Sequence, residues 1–262
     1  MIKSLVGQSN APAGIILRGA RELAGLREAG RIVARVHEAM RRAVRPGMST
    51  AELDAIAADV IRRSGATPTF LGYHGFPANI CTSINDEIVH GIPSPERILK
   101  EGDIISIDVG ATYKGWVGDS AWTYPVGRVS EEAQALLAAT EEALWAGINQ
   151  ARSGNRLGDI SAAIQAQVEA NGFAVIREYG GHGVGHEMHE SPRILNYGRP
   201  GTGLRLRPGM VLALEPMVAA GHWITTVDAD GWTVRTQDGS LSAHFEHTLA
   251  VTSGDPMLMT IL

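Results

Sequence analysis

Sliding this chain against itself by 107 residues gives an ungapped self-match, and that match limits the possible folds more than any other feature. Arg45 meets Arg152, Gly47 meets Gly154, Gly65 meets Gly172, Gly102 meets Gly209 and Trp116 meets Trp223. Leu53 faces Ile160 in the same register, and IISID (104–108) faces VLALE (211–215). Asp108 therefore stands opposite Glu215. Such a repeat predicts two related halves packed about a pseudo-two-fold axis. We place the halves at about 20–126 and 127–262, in one domain of 20–262. Residues 1–19 contain Gly, Pro, Ser and Asn without a helical period and are expected to form a tail, packed as an arm.

The elements follow the repeat. Leu23, Leu26, Ile32, Val33, Val36 and Met40 recur at three- and four-residue steps, which predicts a helix from Arg21 to Val44. Pro46-Gly47 breaks it. Ser49 or Thr50 then caps a second helix, with Glu52 in its first turn and Gly65 at its end. Further helices are expected near 130–150, opened by Ser130-Glu131-Glu132, and near 157–171. Strands are expected in NICTSIN, GDIISIDVG and GWVGDSAWTY, then in GMVLALEPMV, HWITTV, WTVRT and HFEHTLAVT. The order helix, helix, strands occurs twice, giving a mixed α/β (α+β) fold.

Within this frame a few residues carry chemistry. Asp108 ends a run that reads as a buried central strand. An ionised carboxylate there costs several kcal/mol unless it is paired or ligates a metal. Glu215 has the same problem, and the two would repel each other or share a proton. A cation resolves both difficulties; a buried Arg on each is the alternative, but neither strand carries a basic residue. Asp119 follows Asp108 by eleven residues across the turn-like TYKGWVG, so a hairpin can bring the two together. An Asp in GDS is otherwise an ordinary turn residue. Glu246 lies in the apolar HFEHTLAVT, where a lone Glu commonly faces water. The run GGHGVGHEMHE (180–190) holds His182, His186 and His189. Its glycines allow close backbone approach and argue against a helix, so the i, i+4 pair His182 and His186 is no helical zinc signature.

Asp, a second Asp eleven on, His in GHGVG, Glu in LALEP and Glu in FEHT, in that order, resemble the five metal ligands of the methionine aminopeptidases. FLGYHGFPANICTSINDEIVHGIP (70–93) and DGWTVRTQDGSLSAHFEHTLAVT (230–252) also look like that family, so the resemblance runs from about Leu26 to Thr252. It implies a pita-bread fold, in which two pseudo-two-fold halves pack helices on a curved, mostly antiparallel sheet. It implies that Asp108, Asp119, His182, Glu215 and Glu246 hold two divalent cations, with Asp119 and Glu246 shared by both. Four carboxylates and one imidazole suit Mn²⁺, Fe²⁺ or Co²⁺ and admit Zn²⁺. The activity implied is removal of N-terminal (initiator) methionine from peptides and nascent proteins, using a hydroxide bridging the two ions. Glu215 would move the water's proton. His90, in EIVHGIP, and His189 would contact substrate at the scissile bond, with His189 donating to the developing oxyanion. An apolar methionine pocket would include Tyr73, Phe76, Cys81, Met188 and Trp232. His186 and His244 stand where relatives often have Arg and Gln, and receive no role.

Lengths indicate the subtype. Thirty-three residues separate His182 from Glu215 and 31 separate Glu215 from Glu246, which leaves no room for the helical insertion of type II enzymes. The resemblance is thus to type I. Proline-directed relatives share these ligands but usually carry a sizeable N-terminal domain, and a non-catalytic binding protein on this fold would tend to lose ligands. A net charge of −5 without a basic stripe makes nucleic acid or anionic membrane a poor partner. Arg41-Arg42 and Arg62-Arg63 read as solvated helix faces. Cys81 is the single cysteine, so no intrachain disulfide can form, and no His–Asn pattern makes it a nucleophile. No apolar run reaches the ~18 residues of a membrane span. A cytoplasmic monomer acting on peptides and nascent chains, with the ribosome as a further partner, is the expectation.

Overall fold

The computed structural model describes residues 14–262; most of the expected N-terminal tail lies outside them. The first half runs α1 (Ala20–Ala43), α2 (Thr50–Arg63), β1 (Thr67–Pro68), β2 (Cys81–Ile84), β3 (Glu87–Val89), β4 (Ile104–Tyr113) and β5 (Trp116–Pro125). The second runs α3 (Glu131–Gln150), α4 (Leu157–Ala170), β6 (Ala174–Val175), β7 (Gly180–Gly183), β8 (Glu190–Leu195), β9 (Val211–Leu214) and β10 (Met217–Ala219). It continues with β11 (Thr225–Val227), β12 (Val234–Thr236), β13 (Ser242–His244), β14 (His247–Ala250) and β15 (Met257–Leu258). The strand pairings are antiparallel. No helix among the described residues is long and apolar enough to cross a membrane.

The 107-residue offset extends to hydrogen-bond register. Shifting α2 by that amount lands on α4, and shifting β1 lands on β6. Thr67 pairs with Thr112 and Pro68 with Ala111; the shifted pairs, Ala174 with Ala219 and Val175 with Val218, also form. Helix α2 starts where Ser49 accepts from the Glu52 amide at 3.2 Å while Glu52 accepts from the Ser49 amide at 2.8 Å, a reciprocal cap. Two cores mirror each other. In one, Val33, Val36 and Met40 of α1 and Leu53 and Ile61 of α2 cover Ile105 and Ile107 of β4. In the other, Leu144 and Ile148 of α3 and Ile160 and Ile164 of α4 cover Leu212 and Leu214 of β9. These side chains are almost wholly removed from water, each worth roughly 1.5–3 kcal/mol.

One departure from the symmetry bears directly on the site. Strand β4 is continuous, whereas GMVLALEPMV, expected as one strand, is split into β9 and β10. Pro216 has no N–H to give a ladder and its ring resists regular pairing. The partner HFEHTLAVT is split as well, between β13 and β14. Leu214 pairs with His247 on one side of the gap and Met217 with His244 on the other. Glu215 and Glu246 therefore sit in facing interruptions, freed from the ladder.

The halves are joined along β5. The Ser120 hydroxyl donates to the Glu246 carbonyl at 2.6 Å, and Thr248 donates to the Asp119 carbonyl at 2.7 Å. The Glu246 amide donates to the Ala121 carbonyl at 2.8 Å. Helix α1 is fastened to the same strand by His37, whose Nε2 donates to the Ser120 carbonyl while Nδ1 lies 2.9 Å from Tyr124 Oη. Burial lowers the His37 pKa to about 4, against the pull of the Ser120 bond. The folded state thus disfavours protonation, so this contribution to stability is complete above ~6.5, the unfolded value, and is lost as pH falls toward 4. The thermal midpoint of wild-type protein should fall across that window. A His37→Gln variant should start lower at pH 7 and lose less over the same window, as followed by circular dichroism.

Arg18, in the segment expected to be a tail, is buried. Its guanidinium reaches both carboxylate oxygens of Glu190 at 2.7 Å and stacks 5.3 Å from the centre of the Trp116 ring. Glu190 also accepts from the His186 amide at 2.9 Å. Removing one partner would leave an enclosed charge uncompensated, so Arg18→Met should cost about 3 kcal/mol in denaturant unfolding. Exposed Arg63, paired only with Asp59, should cost under ~1 kcal/mol when changed to Met.

Candidate metal centre

The carboxylates and the imidazole come from five places in the fold. Asp108 lies within β4, its Cα paired with Cys81, and Asp119 is on β5 opposite Gly110. His182 is on β7, paired with Ala213 of β9. A side chain at Gly181 would strike the Ala213 carbonyl, so glycine there is what lets β7 close onto β9. Glu215 and Glu246 occupy the two strand breaks, and Asn196 holds the Glu215 carbonyl at 2.9 Å.

These side chains meet. One ligand atom each from Asp119, His182 and Glu246 lie within 4.8 Å of one another, and all three residues are buried. His182 Nε2 is 3.4 Å from Asp119 Oδ2 and 3.5 Å from Glu215 Oε1. Its Nδ1 donates to the Gly183 carbonyl at 2.9 Å, which leaves Nε2 as the atom presented to the carboxylates. Asp108 and Glu215 are half-buried and complete the group.

The electrostatics are those of a crowded acidic site. Burial pushes Asp108 well above the usual carboxylate range, and the charges of Asp119 and Glu215 push it further. Glu246 is raised well above its ordinary value for the same reasons, burial first. Burial raises Glu215 to about 7, opposed by His182 and Arg193. Burial raises Asp119 too, against His182. For His182 burial acts downward, but the bond to Asp119 and the nearby carboxylates win and lift it to about 9.

Would a cation fit? Asp108 Oδ1, Asp119 Oδ1 and Glu246 Oε1 are buried and have no hydrogen-bond partner. Buried acceptors left unpaired each cost on the order of 1–3 kcal/mol, more when charged. No arginine among the described residues pairs with Asp108 or Glu215, which disposes of the guanidinium alternative; Arg193 donates to the Glu178 carbonyl instead. Convergent, unsatisfied carboxylate oxygens with an imidazole Nε2 3.4 Å from one of the carboxylates fit the donor set of a hard divalent cation.

The remaining expected residues surround this group. His90 follows β3 with φ 61°, and Gly91 behind it packs so closely on the Thr82 carbonyl that no side chain fits. Burial lowers the His90 pKa to about 4. The His189 ring lies 4.3 Å from that of His182. His189 is exposed, yet desolvation by the protein around it, then the charges of His182 and His90, lower its pKa. Phe76, Cys81, Met188, Tyr73 and Trp232 fall in one apolar cluster beside the carboxylates, with Phe70 and Ile92. Burial, then Asp108 and Asp119, raise the Cys81 thiol well above its ordinary value, so it is no thiolate.

Sequence alone assigned no role to His244 or His186 and did not single out Tyr179. His244, given no role, is buried with Nε2 unpartnered and 3.7 Å from Glu215 Oε2. Tyr179 stands edge-on to His90 at 6.0 Å. His186, the other histidine left aside, points away and stacks on Trp116 at 3.7 Å. Only the tertiary fold brings His244 and Tyr179 to the site; His244 alone carried a signal, its position two residues before Glu246.

In metal-free protein the carboxylates stand as uncompensated neighbours. Asp108→Asn should therefore raise the apo melting temperature, by about 1 kcal/mol equivalent, while abolishing the further rise that Mn²⁺ gives wild type. Scanning calorimetry with chelator and with Mn²⁺ reads both signs.

The model of metallopeptidase family M24 matches residues 24–253. Over 238 residues the chain is 56% identical to methionine aminopeptidase 1 of Bacillus subtilis, covering 91% of this chain and 96% of that protein. The crystal structure of methionine aminopeptidase from Thermotoga maritima superposes with a TM-score of 0.94 at 44% identity, covering 95% of this chain and all of that one. An Xaa-Pro dipeptidase from Bacillus anthracis gives 0.73 at 25% identity, and this chain spans 61% of its length.

Proposed function

Because the chain belongs to metallopeptidase family M24, and within it to the methionine aminopeptidases of pita-bread fold, we propose that Asp108, Asp119, His182, Glu215 and Glu246 hold two divalent cations with which it removes N-terminal methionine from peptides and nascent chains. The observation that carries this reading is the convergence of unpaired carboxylate oxygens on the Nε2 side of His182. Such ions, when bound, supply a water of lowered pKa and polarise the scissile carbonyl.

The chain's own groups do the rest. Glu215, released from the ladder beside His182 Nε2 at 3.5 Å, would take a proton and hand it to the leaving amine. His90 and His189, both neutral at pH 7, present N–H donors to the substrate at the scissile bond without adding positive charge beside the ions. The cluster of Tyr73, Phe76, Cys81, Met188 and Trp232 gives the methionine side chain an apolar, partly aromatic wall, against which a thioether packs well. Substrates enter with a free α-amino group, whose neutral amine form has the lone pair that a bound cation would receive. We place the activity in the cytoplasm, where a chain with one buried, unreactive cysteine has no need of an oxidising compartment. The ribosome, as the source of nascent chains, is the partner this implies.

His189→Ala should lower kcat at least about 10²-fold with two metals still bound, the size of a lost oxyanion donor. Loss of metal with normal turnover per bound metal would make His189 a ligand. Hydrolysis of Met-Ala-Ser by apo protein titrated with Mn²⁺, Fe²⁺, Co²⁺ and Zn²⁺ should rise with metal, and an Xaa-Pro dipeptide offered in parallel should stay intact. Cleavage of the second substrate alone would assign the chain to the proline-directed relatives.

A further inference from the structure

Tyr73 entered the reading above as a wall of the methionine pocket, and its hydroxyl has no task there. That hydroxyl lies 2.8 Å from Nδ1 of His189, across 116 residues of sequence. The two rings also stack, with centroids 5.6 Å apart and planes 27° from parallel. The Tyr73 ring is held on another side by His74, edge-on at 4.4 Å. His189 is thus set between Tyr73 and His182, whose centroid is 4.3 Å away.

The turn that carries Tyr73 is built to hold it. Residues Tyr73–Gly75 form one 3₁₀ turn, flanked by Gly72 at φ 83°. The Tyr73 amide donates to the Phe70 carbonyl at 2.9 Å, and the Gly72 amide donates to the Phe76 carbonyl at 2.8 Å. His74 is held at φ 48°, a left-handed conformation that a non-glycine residue adopts at a cost of about 1 kcal/mol.

The chemistry turns on where the His189 proton sits. A neutral imidazole has one N–H and one bare nitrogen. With the proton on Nδ1, the ring donates to Tyr73 and Nε2 cannot donate to anything. With the tyrosine hydroxyl donating to Nδ1, the proton is forced onto Nε2. We propose that Tyr73 is a positioning residue for His189: its hydroxyl donates to Nδ1 and so keeps Nε2–H available as the donor to the substrate's scissile carbonyl. Burial, with the charges of Glu187 and Asp119, raises the Tyr73 pKa and keeps the phenol protonated in keeping with this. The inference rests on the reading that His189 donates to that oxygen, and goes beyond it by naming what makes His189 a donor.

The test is a double-mutant cycle on the metal-loaded enzyme, with Tyr73→Phe, His189→Ala and both together, assayed on Met-Ala-Ser. Tyr73→Phe keeps the ring and the pocket wall and removes only the hydroxyl. It should lower kcat about tenfold, a typical hydrogen-bond effect, with KM within about twofold and metal content unchanged. In the His189→Ala background the same change should alter kcat by less than about twofold. A second readout needs no turnover: nitrogen NMR of ¹⁵N-histidine-labelled, Zn²⁺-loaded protein should show His189 as the Nε2–H tautomer in wild type and a shifted tautomer mixture in Tyr73→Phe. Equal losses in both backgrounds, or a change in KM alone, would leave Tyr73 as a pocket wall and overturn the proposal. An Nδ1–H tautomer in wild type would overturn it as well. Should His189→Ala keep full kcat while the NMR shows Nε2–H set by Tyr73, the role of His189 fails and the tautomer control stands, so the two failures are told apart.

Discussion

Negative charge confined away from water is the constraint on which the rest of the molecule depends. Four carboxylates meet between the two halves, and the described residues offer them the imidazoles of His182 and His244 and no paired guanidinium. Every nearby element is arranged to tolerate that. Asp119 and Glu246 are joined through their backbones by Ser120, Ala121 and Thr248, so they cannot drift apart to relieve repulsion. His37, His90 and His244 are kept neutral by burial and donate no formal charge. The fold thus spends stability on a site that a cation neutralises.

Two mirrored cores supply the rigidity that such a site needs. Helices α1 and α2 press on β4 much as α3 and α4 press on β9. The departure from symmetry is as instructive as the symmetry. In the first half an unbroken hairpin presents Asp108 and Asp119. In the second, Pro216 and the facing gap at Phe245–Glu246 release two glutamates from the ladder. A longer side chain reaching from a break and a shorter one reaching from a continuous strand can then arrive at one point.

Local signals and the repeat made much of this legible in advance. Ser49 followed by Glu52 forecast a cap, and the cap forms. Apolar steps of three and four marked α1 within a residue or so. The alignment of Asp108 with Glu215 marked two carboxylates that the fold brings into one acidic group. Strand breaks were harder, because Pro216 can also sit at an edge, and only pairing partners show that two interruptions face each other. Arg18 and Glu190, Tyr73 and His189, His244 and Glu215 are separated by 172, 116 and 29 residues in sequence; no periodicity encodes such pairs. Arg18 was hidden further by neighbours that read as an unstructured tail.

One feature reaches beyond catalysis. Asp108 and Asp119 belong to one half of the chain, while His182, Glu215 and Glu246 belong to the other. Severing the peptide in the short link Val126–Ser130 would leave fragments that each keep a helix pair and a share of the donors, but neither a whole coordination sphere. If the proposed donors hold the ions, divalent ion affinity would then report reassociation of the pieces, with the ion acting as a rivet between them as much as a reagent. By the same reasoning, a half-length ancestor could have gathered such a sphere only by pairing with a second copy of itself.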